Sequence, residues 1–226
     1  DELPPGRQPV RTAIREPARR DRIFGFVADQ VRAGRQAYVV YPLIEDSEKS
    51  DLTSAEAGFE ELCREWLATC RVELIHGRLP AQQKTDVMAR FAAGEVDVLV
   101  STTVIEVGVD VANATVMVVE HAERFGLSQL HQLRGRVGRG TDDAYCILIA
   151  YPTDGGEEWR HRLEALCETT DGFILARKDL ELRGSGEVLG TRQAGMPELR
   201  IAQLLKDEDL MEPARFEALR EQVGMS

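Results

Sequence analysis

Lysine is scarce in this chain. Only four of its 28 basic residues are lysines (Lys49, Lys84, Lys178 and Lys206), and none of them follows a glycine-rich turn. The pattern GxxxxGK followed by Ser or Thr occurs nowhere, so the backbone cradle that holds the phosphates of a nucleotide in many proteins is not encoded. No Asp-Glu pair closes an apolar strand, where it could hold Mg²⁺; the "DEL" at position 1 runs into two prolines instead. The four cysteines (Cys63, Cys70, Cys146, Cys167) form no CxxC pair and share no ligand spacing with the scattered histidines. That argues against a zinc centre and for reduced thiols. No run of 18 apolar residues exists, so no transmembrane helix is expected. "DELPPGRQPV" has neither the basic start nor the apolar centre of a secretory signal. It also lacks an initiator Met, so the chain is expected to begin inside a longer protein.

What is present is charge, and it is segregated. The formal net charge is −11, which argues against coating nucleic acid by bulk attraction. Residues 45–65 carry eight acids against two bases, whereas residues 122–140 carry four arginines against one glutamate. Within "LHQLRGRVGRG" (130–140), Arg134, Arg136 and Arg139 alternate with Gly135, Gly138 and Gly140. Arginine is a planar, permanently charged fork suited to phosphate oxygens, and glycine lets a backbone approach a ligand closely. The segment is expected to face phosphate.

With 43% hydrophobic residues the chain can bury a real core. "PVRTAIRE" (9–16) alternates like a half-buried strand. "AYVVYPLI" (37–44), "VELIH" (72–76), "VDVLVST" (96–102), "ATVMVVE" (114–120) and "AYCILIA" (144–150) are short and nearly continuous in apolar residues, as strands of a parallel sheet covered on both faces are. Between them, Phe24, Val27, Ala28 and Val31, then Phe59, Leu62, Cys63, Trp66 and Leu67, repeat with helical spacing. The second helix is expected to start at a capping box of Thr53 and Glu56. A third helix is expected over 81–93, ending before Gly94. Alternating strands and helices imply right-handed βαβ units. The expected architecture is an α/β fold: a RecA-like or otherwise doubly wound domain over 9–152, its mainly parallel sheet flanked by helices, with residues 1–8 leading into it. A smaller helical appendage follows over 153–226, with helices at 155–170, 173–183, 199–206 and 213–222.

Ligands of open α/β sheets bind beyond the carboxyl ends of the strands. Three segments are expected at that edge: "HGRLP" (76–80), "STTVIEVGVD" (101–110) and the arginine cluster. Arginines that face phosphate, in a chain with no nucleotide cradle, read as half of an active site.

These residues carry a resemblance. "QLHQLRGRVGRG" resembles motif VI of superfamily 2 helicases, QxxGRxGR, through Gln132, Gly135, Arg136, Gly138 and Arg139. "STTVIEVGVDV" resembles motif V, "AYVVYPLIEDS" the motif IV strand, and "HGRL" the segment between them that touches nucleic-acid backbone. "ELPPGRQPV" resembles the linker leaving a first RecA-like domain. Within the superfamily the tail, "DLELRGSGEVLGTRQAGMPELRIAQLLKD", is similar to the translocation motif of the RecG type, and His131 fits that type better than the Mfd type.

The resemblance implies the second motor domain of an ATP-dependent translocase of double-stranded DNA that remodels stalled forks and Holliday junctions in repair and recombination. Arg136 and Arg139 would then act as arginine fingers toward ATP held by the first domain, with Gln132 helping to position that site. Gly108, Asp110 and Gly135 would lie near the nucleotide. Gly77, Arg78, Ser101, Thr102 and Thr103 would contact DNA backbone, and Arg183, Arg192 and Gln193 would belong to the translocation motif. Arg134 is not a motif arginine and is expected in an ion pair with Glu106 or Glu123. The implied cofactors are ATP and Mg²⁺, held mainly by the first domain, so the fragment alone is expected to lack ATPase. The implied partners are branched duplex DNA, the first motor and wedge domains of the same protein, and a single-stranded DNA-binding protein. The implied location is the bacterial cytoplasm, at the nucleoid, away from membranes. Two other readings stay open: an Mfd-type transcription-repair coupling translocase, and a non-catalytic module that binds phosphate or nucleic acid.

Overall fold

A computed structural model describes residues 9–42, 48–102, 111–151 and 158–183; of residues 48–54, 182 and 183 it describes only the backbone. Six strands are found among these: β1 (Arg11–Arg15), β2 (Gln36–Val40), β3 (Val72–Ile75), β4 (Val98–Ser101), β5 (Ala114–Val119) and β6 (Tyr145–Ile149). They form one sheet in the order β1-β6-β5-β2-β4-β3, and every pairing is parallel. The helices are α1 (Arg20–Arg32), α2 (Glu48–Glu65), α3 (Ala81–Ala92), α4 (Leu127–Arg134), α5 (Glu158–Glu168) and α6 (Gly172–Arg183).

Alternation along each strand sends side chains to two apolar layers. Tyr38 and Val40 of β2 join Leu99, Met117, Val119 and Leu148 in a layer covered by Val87, Met88 and Phe91 of α3, the leucines of α4, and Leu163 and Leu166 of α5. Ala37 and Val39 of β2 join Val98, Val100, Val116 and Val118 in the opposite layer, under Phe24 and Val27 of α1 and Leu62 of α2. Both faces are therefore closed, and the central strands β2, β4 and β5 are buried at every position. The edge strands β1 and β3 are only partly so. The near-continuous apolar runs signalled this two-sided burial.

Gly94, at φ 75°, ends α3 where its pattern stops; a left-handed turn costs glycine little. Helix α2 departs from expectation. It begins at Glu48, so Thr53 lies inside it and is not its cap. The helices expected at 199–206 and 213–222 fall outside the described residues. The chain divides into two units, Asp1–Asp179 and Leu180–Ser226, and of the second unit only the end of α6 is described.

Candidate functional site

The parallel sheet gives every strand the same polarity, so the expected site residues can be sorted by edge. At the carboxyl edge, β3 and β4 pair with Ile75 opposite Ser101. This register brings "HGR" beside "ST". Gly77 and Arg78 are exposed in a turn closed by Leu79 N–H donating to the His76 carbonyl at 3.1 Å. A Cβ on Gly77 would meet nothing within 4 Å, so no described neighbour requires glycine there. The Lys84 amine, from the first turn of α3, donates to the Gly77 carbonyl at 2.7 Å and adds a positive charge beside Arg78. The sequence reading missed Lys84; its position four residues past Pro80 was the available signal.

Ser101 and Thr102 are each only 1% exposed. The Ser101 carbonyl accepts the Tyr41 N–H at 2.8 Å, which ties β4 to the exit of β2. Thr102 Oγ1 and His76 Nδ1 are buried and have no hydrogen-bond partner among the described residues. Two neighbouring strand ends thus each leave one polar atom unsatisfied, an unfavourable state for a buried group.

The arginine cluster does not share this edge. Strand β5 delivers the chain to the carboxyl edge at Val119, but β6 must start from the amino edge at Tyr145. Helix α4 and the loop behind it make that return. A Cβ on Gly140 would come within 2.9 Å of the Ala112 carbonyl, just ahead of β5. Asp142 pairs with Arg35, one residue ahead of β2, and Asp143 with Arg11 at the start of β1. Residues 140–143 therefore lie on the amino edge, and Arg139 directly adjoins them. The expectation that all three segments share the carboxyl edge overlooked the length of chain that α4 consumes.

Within this loop, Leu127, Leu130 and Leu133 of α4 and Val137 beyond it are fully buried. Gln129 reaches back from the first turn to accept the Gly126 N–H at 3.0 Å. The loop tightens through Arg136 N–H to the Leu133 carbonyl at 3.0 Å and Val137 N–H to the Arg134 carbonyl at 3.3 Å. Gly138 turns it at φ 74°. Gln132 and Arg139 are exposed, and Arg136 is half-buried. Arg139 donates from Nε to the Gly135 carbonyl at 3.1 Å, across the loop. This bond, with buried Val137 beneath, holds the loop in one conformation.

Of the two ion-pair partners expected for Arg134, Glu123 is not one and Glu106 is not among the described residues. Arg134 is 4% exposed and donates from one terminal nitrogen to the carbonyls of Leu166 (2.6 Å) and Thr169 (2.8 Å), at the end of α5. Its other terminal nitrogen meets His131 Nδ1 at 3.0 Å. Carbonyls at a helix C-terminus attract a cation as a carboxylate does. Glu123, one of the two expected partners, has its oxygens on His121 and on the Tyr151 N–H. The other, Glu106, lies outside the described residues. So do Thr103, Gly108, Asp110, Arg192 and Gln193, while Arg183 ends α6 with its side chain undescribed.

A second feature without a sequence signal lies where β2, β5 and β6 reach the carboxyl edge. Glu120, 1% exposed, accepts Arg20 Nε and the Tyr151 hydroxyl, each at 3.0 Å. Arg20 also donates to Glu61 at 3.0 Å. Burial raises the Glu120 pKa despite the arginine beside it, and raises the phenols of Tyr41 and Tyr151. At Glu123 burial also opposes ionisation, but the bonds from His121 and the Tyr151 N–H prevail and hold its pKa below the ordinary value.

A model of the helicase conserved C-terminal domain matches residues 20–141. A model of the C-terminal part of domain 3 of the ATP-dependent DNA helicase RecG matches residues 169–223. The chain is 53% identical over 221 residues to the ATP-dependent DNA helicase RecG of Acidithiobacillus ferridurans, a match covering 97% of this chain and 32% of that protein. It is 47% identical over 218 residues to that of Bacillus subtilis (strain 168), covering 96% and 32%. The chain thus spans about a third of the length of these curated relatives. A solved structure of RecG bound to a three-way DNA junction superposes with a TM-score of 0.72 at 46% identity, over 94% of this chain and 27% of that one. The yeast DEAD-box splicing factor Prp28, at 14% identity and a TM-score of 0.54 over 73% of this chain and 34% of its own, shares the fold alone.

Proposed function

This chain belongs to the family of helicase conserved C-terminal domains, and on that premise we propose that it is the second motor domain of a RecG-like, ATP-dependent translocase of double-stranded DNA. The observation that carries this reading is the arginine loop. Arg136 and Arg139 stand on a braced loop at one edge of the sheet, in a chain that encodes no phosphate cradle of its own. Two arginines so held suit charge that develops on a phosphoryl group supplied by another domain. ATP with Mg²⁺ would supply the transferred phosphoryl group. The first motor domain would bind both. Among the described residues no cluster of three His, Cys, Asp or Glu could hold a metal.

In this mechanism Arg136 and Arg139 stabilise the transition state and Gln132 orders the groups around it. Gly135 lets the loop approach the nucleotide, and Gly108 and Asp110 serve its sugar and phosphates. The other edge would follow the DNA backbone through Gly77, Arg78 and Thr103, with the expected contacts Ser101 and Thr102, each 1% exposed, lying beneath that surface and supporting it. Open space at Gly77 and the charges of Arg78 and Lys84 support that assignment. Arg183, Arg192 and Gln193 would couple domain closure to movement of the duplex. Forks and Holliday junctions are the proposed substrates, in keeping with the junction bound by the RecG structure, and a single-stranded DNA-binding protein is a proposed partner. The bacterial relatives support a cytoplasmic, nucleoid-associated setting, and no described helix is long and apolar enough to cross a membrane.

The test is ATP turnover by this chain alone and by the chain joined to a first motor domain, each with Arg139→Ala as control. The isolated chain should show no turnover above its control. The joined protein should lose about 10³-fold or more on Arg139→Ala and still bind ATP. Residual turnover above about a tenth of wild type would be too large for a finger and would end this reading.

A further inference from the structure

The turn that launches α4 is built at a conformational cost. His121, the first residue after Glu120, has φ 51° and ψ 47°, and it is the one described non-glycine residue with positive φ. A histidine there is strained where glycine would not be, and asparagine would be less so. Such strain persists only where surrounding contacts determine it, and it concentrates at functional sites.

The contacts can be named. The His121 ring lies flat on Tyr151, with centroids 3.9 Å apart and planes 18° from parallel. Its Nδ1 is 3.3 Å from Glu123 Oε1. Glu123 is 6% exposed, and its other oxygen accepts the Tyr151 N–H at 3.0 Å. Its carbonyl accepts Arg162, from α5, at 3.1 Å. Around Glu120, Arg20 and the Tyr151 hydroxyl fix the preceding residue. The turn is thereby pinned to the exit of β6, the start of α1 and the middle of α5.

What the turn controls is α4, which begins four residues after Glu123 and ends just before Gly135 and Arg136. The buried leucines of α4 fix its depth on the sheet. Apolar contacts are non-directional, whereas hydrogen bonds and a ring stack are not. The directional contacts on α4 are this turn at its start and Arg134 at its end, whose bonds to the Leu166 and Thr169 carbonyls tie it to α5; rotation and tilt are set by the two together. Eight helical residues span about 12 Å, so a change of tilt of about 10° when the turn is released displaces one end of α4 relative to the other by about 2 Å. A misplacement of about 1 Å can lower the rate of a positioned reaction about 10²-fold.

We infer that His121, Glu123 and Tyr151 form a clamp of positioning residues that sets the angle of α4 and so aims Arg136 and Arg139. This rests on the proposed function. None of the three touches the phosphate; they act through the helix.

The experiment uses the longer protein, with this chain joined to its first motor domain, and four variants: His121→Gly, His121→Asn, Glu123→Gln and Arg139→Ala. Glycine removes the ring together with the strain, so His121→Gly should melt within a few degrees of wild type. Its kcat should fall about 10- to 100-fold while KM for ATP stays within about threefold, because aim matters in the transition state and little in binding. Glu123→Gln keeps the volume and an acceptor for the Tyr151 N–H and should lose less. His121→Asn tolerates the left-handed backbone and still offers Glu123 a donor, so it should recover kcat to within about threefold of wild type. Unchanged kcat in His121→Gly, with Arg139→Ala inactive, overturns the clamp and leaves the motor reading standing. So does loss of kcat that follows loss of folding in both His121→Gly and Glu123→Gln, since the turn would then be structural only. Full turnover in Arg139→Ala overturns the motor reading, and the clamp with it.

Discussion

The two edges of the sheet solve opposite problems. At the amino edge the arginine loop is over-determined. Val137 is buried beneath it, Gly138 turns it, Gly140 abuts the Ala112 carbonyl, and Arg139 ties across to Gly135. At the carboxyl edge near β3 and β4, a Cβ on Gly77 would meet no described neighbour, and Thr102 Oγ1 and His76 Nδ1 are buried without partners among the described residues. A group that stabilises a transition state is most effective when it needs no reorganisation at the moment of reaction. A surface that moves along a polymer must make and release its contacts. On the proposed reading, the braced edge handles nucleotide and the unsatisfied edge handles DNA backbone.

Substitutions that should affect one edge and spare the other test this division. The largest effect is expected from Arg136→Lys in the joined protein, which keeps the charge and removes the planar fork. ATP turnover should fall by about 10³-fold, the lower end of the usual arginine-finger effect, while duplex DNA affinity stays within about twofold. Turnover and DNA affinity are measured in the same buffer. A matching loss of DNA affinity would mean that the edges are not separate sites.

Much of this was legible in the sequence, for identifiable reasons. Five strands announced themselves as short apolar runs such as "ATVMVV", with β5 buried at all six positions, and β1, a partly buried edge strand, announced itself by alternation instead. Gly94 marked the end of α3. The arginine loop was legible as a motif through the fixed spacing of Gly135, Arg136, Gly138 and Arg139, and its proposed chemistry rests on that spacing. Its place was not. Which edge a loop occupies depends on how much chain the preceding helix consumes, and α4 is only eight residues long. The partners of Arg134 were equally hidden, because backbone carbonyls such as those of Leu166 and Thr169 have no residue-type signature. The proposed clamp of His121, Glu123 and Tyr151, with the adjoining pair Arg20 and Glu120, draws on residues spread across 131 positions of sequence, where no local pattern could reveal it.

A smaller effect is expected at the carboxyl edge. Arg78→Ala and Lys84→Ala should each weaken duplex binding severalfold and lower the salt dependence of binding by about one counterion per charge removed. Turnover at saturating DNA should stay within about twofold of wild type. Lys84 gives the sharper result, because its amine also holds the Gly77 carbonyl. If Lys84→Ala reduced turnover at saturating DNA as strongly as Arg136→Lys does, the carboxyl edge would be part of the catalytic apparatus.

The smallest expected effect is a pH dependence, and its value lies in its sign. Glu123 and Glu120 are three residues apart and both buried, yet their pKa values move in opposite directions. At Glu123 the bonds from His121 and Tyr151 overcome burial and lower it, whereas at Glu120 burial overcomes Arg20 and raises it. For Glu123 the unfolded chain holds the proton more tightly than the folded one. Its contribution to stability is therefore complete well above the ordinary glutamate value of about 4.3, and is lost progressively as pH falls from that value through the lower folded pKa. For Glu120 the folded chain holds the proton more tightly. The ionised carboxylate then costs stability above its raised pKa, and that cost is relieved on acidification. Denaturant midpoints of the chain at pH 7 and pH 4 should accordingly show the wild-type advantage over Glu123→Gln shrinking with acid, and the balance against Glu120→Gln shifting toward wild type. Slopes of the same sign would mean that His121 and the Tyr151 N–H do not outweigh burial at Glu123. The clamp at the start of α4 would then be weaker than its geometry indicates.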